Sequence, residues 1–90
     1  MKILSIYDLA IKNHLFFIAT EIGLHVYDLK NNKLFDYKDF GYKTDDFLPP
    51  IRKASFTDLL ITKRNLYAAN QSRIISFNFR TRQWSNAVDA

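Results

Sequence analysis

Five cations in the second half of the chain, Lys63, Arg64, Arg73, Arg80 and Arg82, are interleaved with Tyr67, Phe77, Phe79 and Trp84. Arginine grips phosphate through a planar fork and aromatic rings stack on bases, so this composition fits an anionic-ligand or nucleic-acid surface. The turns that carry Lys63 and Arg64 and those that carry Arg80 and Arg82 are placed at opposite ends of the fold, which would split the cluster. No recognised nucleic-acid motif accompanies the charge, and a solvated turn face with its aromatics turned into the core is the favoured reading.

Other chemistry finds little support. His14 and His25 stand eleven residues apart, and a zinc site needs about three convergent protein ligands. Glu21 is the sole Glu, Asp45 and Asp46 sit together in a polar stretch, and no Ser lies near a His or Lys at the spacing of a nucleophile motif. Gly23 and Gly41 stand alone, so there is no phosphate-cradling glycine loop. The chain is therefore expected to be no enzyme, with no cofactor and no metal. The remaining candidate is Phe47, Leu48, Pro49 and Pro50, a stiff extended stretch that reads either as a projecting interaction loop or, with more weight, as a connector lying across one rim.

The elements that position these residues are short strands. The 90 residues are 48% hydrophobic and 16% aromatic, with two Gly, two Pro and no Cys. Such a chain folds as a single unit without disulfide or thiolate metal, and buries only about 60–65% of the surface its unfolded form exposes. Its net charge of +4 comes entirely from the second half: residues 1–45 carry six basic and six acidic side chains, residues 46–90 seven and three. The start, Met1 to Asp8, breaks its apolar stretch too early for a signal-peptide core, and Leu15 to Ala19 is far too short to span a bilayer. A cytoplasmic location is expected. The sequon Asn70-Gln71-Ser72 reads as a chance match.

Sliding the chain against itself by fifty residues lays 5–34 over 55–84 without a gap. Ser5, Asp8, Leu9, Ile11 and Ala19 meet Ser55, Asp58, Leu59, Ile61 and Ala69, and Phe17, Leu24, Tyr27 and Leu34 meet Tyr67, Ile74, Phe77 and Trp84. Apolar stretches punctuated by polar turns of about three residues predict four antiparallel strands per copy. They are placed at Asp8 to Ile11, Leu15 to Thr20, Leu24 to Leu29 and Lys33 to Lys38, then Asp58 to Thr62, Leu66 to Asn70, Ile74 to Phe79 and Gln83 to Val88. The first repeat covers approximately 4–38, the connector 39–53 and the second repeat 54–88. Asp8 and Asp58 recur at one position of the repeat, as backbone-bonding residues do. Leu15-Phe16-Phe17-Ile18-Ala19 is apolar throughout, so both faces of its strand are expected to be covered.

Asp8, Leu9, Ile11, Phe17, Ala19, Gly23, Leu24, Val26, Tyr27 and Asp28 together resemble a β-propeller blade of the LVIVD, kelch or WD-like kind. The second copy departs from it, with Arg73 for Gly and Asn78 for Asp, and neither the WD dipeptide nor the kelch double glycine is present. The resemblance implies an all-β fold of two four-stranded meanders. It also implies a protein-interaction module completed by self-assembly, as a ring of three or four copies, or by docking into a larger protein, since propellers close with four to eight blades. The alternatives are a small closed β-barrel or sandwich, nucleic-acid binding through the second repeat, and a lectin-like ring in which Trp84 stacks on sugar faces.

Overall fold

A computed structural model describes residues 5–47 and 55–89. The first sheet is a meander of β1 (Ile6–Lys12), β2 (Leu15–Thr20), β3 (Gly23–Asp28) and β4 (Lys33–Asp36), paired antiparallel in chain order. The second sheet is a meander of β6 (Asp58–Ile61), β7 (Asn65–Ala69), β8 (Arg73–Asn78) and β9 (Gln83–Asp89). Between them the connector makes one 3-10 turn, Tyr37–Asp39, and a short strand β5 (Tyr42–Lys43), which joins the second sheet parallel to β9. The chain is all-β, the two sheets are separate, and no barrel closes among the described residues.

The repeat is carried down to the turns. The Asp28 carboxylate accepts from the Asn31 N–H at 3.2 Å and from its side-chain amide at 2.7 Å. Fifty residues on, Asn78 Oδ1 accepts from the Arg80 and Thr81 N–H groups at 2.9 and 3.0 Å. An amide oxygen serves this turn as a carboxylate does, so Asn78 keeps what Asp28 does. Asn32 and Arg82, also fifty apart, both take left-handed backbone at φ 52° and 60°. Asn tolerates that region readily, whereas Arg adopts it under strain of about 1–2 kcal/mol.

Burial alternates along β1, β2, β6 and β7, whereas β3 and β8 are buried over consecutive residues. In the first sheet Ala10, Phe17, Val26 and Phe35 are paired in one cross-strand row and turn inward, with Leu15, Ala19 and Leu24 beside them. In the second, Ile61, Leu66, Phe77 and Trp84 form the facing row, beside Leu59, Ala68 and Ile75. The closest approach between sheets is at β1 and β6, where Ala10 needs little room. Toward β4 and β9 the gap is filled by large rings from the connector. Phe40 lies 5.4 Å from Phe35 and 5.6 Å from Phe77, centroid to centroid, and Tyr37 lies 5.4 Å from Trp84. The core is thus a wedge, small at the first strands of the sheets and aromatic at the last.

Two hydrogen bonds fix the wedge at its two ends. Asp8 Oδ2 accepts from the Leu59 N–H at 2.8 Å, tying β1 to the free edge of β6. Trp84 Nε1 donates to the Phe40 carbonyl at 2.7 Å in the buried interior. The connector is then laced to β9 by Tyr42 N–H to Arg82 O at 2.8 Å and Thr44 N–H to Trp84 O at 3.0 Å. The strand expected over Lys33 to Lys38 ends at Asp36, because Asp36 accepts from the Lys38 N–H and turns the chain into the wedge.

Candidate functional site

The expected placing of the two basic turns at opposite ends does not occur. In a meander the first and third turns share an end, so the β6–β7 and β8–β9 turns bring Lys63, Arg64 and Arg80 together around Asn78 and Phe79, lining an open groove of about 620 Å³. Phe79 N–H donates to the Arg64 carbonyl at 3.0 Å, which holds the two turns side by side. Lys12, from the first sheet, places its ammonium 5.2 Å from the Phe79 ring centroid. It joins the basic rim although the sequence reading passed it over; the signal was its place just before the β1–β2 turn, the counterpart of Thr62.

Two of the five cations lie elsewhere. Arg82 sets its guanidinium 4.9 Å over the Phe40 ring and lines a separate groove with Asp28 and Asp39. Arg73 begins β8 at the opposite end of the sheet, near enough to Tyr37 to act on its phenol. Burial nonetheless dominates there and pushes the Tyr37 hydroxyl up to about 12, against the pull of Arg73.

Phe47 is a core residue rather than a projecting contact: it is 8% exposed and meets Tyr37 edge-on at 6.4 Å. Leu48, Pro49 and Pro50 lie outside the described residues. Trp84, the ring that would stack on a sugar, is wholly buried, its one donor already committed to Phe40. His14 Nε2 approaches Asp28 Oδ1 at 3.8 Å, and the Asp28 carboxyl is held below its ordinary value, chiefly by the Asn31 amide. Among the described residues no three His, Asp or Glu side chains gather as metal ligands would.

An apolar surface lies on the outside of the first sheet. There Leu9 pairs with Ile18, Ile11 with Phe16, Phe16 with Tyr27 and Tyr27 with Leu34, giving a continuous patch across all four strands. Leu9 is 48% and Ile11 53% exposed. The outside of the second sheet carries Leu60, 63% exposed, beside Tyr67, with Ala69 and Ile74 in the next row. Strand alternation combined with the fifty-residue register was the signal for both faces.

No protein-family model, curated protein or solved structure matches this chain.

Proposed function

We propose that this protein is a non-catalytic interaction module, built from two propeller-like blades, that recognises another β-sheet through the outer faces of its own sheets. The observation that carries the reading is the uncovered patch from Leu9 and Ile11 across to Leu34, on a sheet whose inner face is already filled. A surface of this kind marks an association site, because side chains of this size left in water forgo about 1.5–3 kcal/mol each on full burial. Light scattering behind a sizing column tests it at low and high salt. A discrete assembly at both salts supports the reading through self-association, since apolar contact is little screened, and a monomer at every concentration removes self-association and leaves only a sheet of a different protein as the partner.

A second reading rests on the convergence of Lys63, Arg64 and Arg80 with Lys12 at one end of the molecule. Such a rim suits a polyanion such as single-stranded nucleic acid, gripped by the cations and stacked on Phe79. Fluorescence anisotropy of a labelled oligonucleotide would show binding that falls steeply with salt and is lost in a Lys63→Glu, Arg64→Glu double variant. Absence of binding at low salt removes this reading.

A further inference from the structure

The two sheets do not meet by equivalent faces. Subtracting fifty from the inward row of the second sheet, Ile61, Leu66, Phe77 and Trp84, gives Ile11, Phe16, Tyr27 and Leu34, which is the outward row of the first. Adding fifty to the inward residues Ala10, Phe17, Ala19 and Leu24 gives Leu60, Tyr67, Ala69 and Ile74, which face outward on the second sheet. The internal contact is therefore head-to-tail, and a head-to-tail contact leaves one unused copy of each partner face. Those unused copies are the two exposed faces of this molecule, and they are complementary by the same register that made the internal contact.

The polar clamp repeats as well. Asp8 reaches across the internal interface to the N–H of Leu59, an outward-pointing donor on the free edge of β6. Its counterpart Asp58 has the matching position on the second sheet, where it is exposed and accepts only from its neighbour Thr57 among the side-chain bonds seen. The counterpart donor, Leu9 N–H, has no preceding sheet to serve it and turns to Asp8 Oδ1 at 2.9 Å.

Resting on the interaction-module reading, we infer that the occupant of the first sheet's outer face is the second sheet of another copy of this chain, with its Asp58 carboxylate accepting from Leu9 N–H. Isologous pairing of two first-sheet faces is the competing arrangement. It would need neither Leu60 nor Asp58. The head-to-tail contact needs both, and it continues until the rotation between copies closes a ring.

Three variants separate these cases by light scattering, with circular dichroism to confirm the β fold: Ile11→Glu on the first face, Leu60→Glu on the second, and Asp58→Ala at the clamp. Ile11→Glu and Leu60→Glu are each expected to be monomeric, and an equal mixture to form a one-to-one dimer that grows no further, because each supplies the face the other lost. Asp58→Ala is expected to weaken assembly about tenfold, the loss of roughly one charge-assisted hydrogen bond. If Leu60→Glu assembles like the unaltered chain while Ile11→Glu does not, the head-to-tail inference is overturned and the interaction module survives. A monomeric unaltered chain overturns the head-to-tail inference and leaves the interaction module to a partner other than itself. Should Ile11→Glu fail to fold, Leu9→Lys blocks the same face from a neighbouring exposed position.

Discussion

Asp8 and Leu59, fifty-one residues apart in the chain, are joined by a 2.8 Å hydrogen bond from backbone to carboxylate that crosses from one sheet to the other. The same carboxylate accepts from the Leu9 N–H at 2.9 Å through its other oxygen, so one side chain serves both free edges of the wedge. Asp8→Ala deprives the Leu59 N–H of its acceptor. The site is only half-buried and water replaces part of the loss, so the expected cost is about 1 kcal/mol, read as a drop in denaturant midpoint at unchanged slope.

At the broad end of the wedge, Trp84→Phe removes the donor to the Phe40 carbonyl and leaves a void where the indole was. An unsatisfied buried acceptor and a small cavity together cost about 2–3 kcal/mol, so melting is expected to fall by roughly 10 °C or more. Calorimetry decides it; a shift within a few degrees would mean the connector can re-seat without this bond.

Gly41 holds φ +69°, and a Cβ there would stand 2.6 Å from the Arg82 carbonyl oxygen and 2.9 Å from Phe77 Cε1. Neither neighbour is free to leave: one is backbone bonded to Tyr42, the other a core ring. Gly41→Ala is expected to destabilise by about 2 kcal/mol or more and to loosen β5 from β9, visible as faster hydrogen exchange at Tyr42 and Thr44.

Tyr37 gives the fold an alkaline limit. Its hydroxyl is raised from the ordinary 10 to about 12, first by burial, so the folded state keeps the proton that the unfolded state releases. Stability that is intact below pH 10 is expected to decline as pH rises toward 12, and Tyr37→Phe should flatten that decline when unfolding is followed across pH. Asp28 acts at the other extreme: its carboxyl is lowered by the Asn31 amide, so its contribution is present above the ordinary carboxylate range and is lost as pH falls through the lowered value.

The eight meander strands were legible because two signals coincide in them, apolar stretches set off by polar turns and the fifty-residue register. Leu15, Phe17 and Ala19 point inward and Phe16 and Ile18 outward within one apolar run that, read alone, gives no periodicity at all. β5 was not legible. Two residues, Tyr42 and Lys43, become a strand only because β9 lies beside them, and no local preference encodes a partner some forty residues ahead. The core role of the connector's rings was not legible for a related reason: Tyr37, Phe40 and Phe47 sit among polar residues without period, and only the splay of the two sheets creates the space they fill. The basic rim was obscured by geometry rather than composition, since which turns share an end follows from counting strands.

The lacing of the connector to β9 also couples the two repeats. Tyr42 and Thr44 bond to the backbone of Arg82 and Trp84, so the segment that closes the first sheet's core cannot be completed until the last strand of the second has formed. That pairing closes a loop of about forty residues, at an entropic cost that local turns do not recover. Without that segment Phe35 loses its contact with Phe40, so closure of the core is expected to be a single cooperative step. Two sequence repeats that look separable share one interior, and a cut between them would leave neither half a finished one.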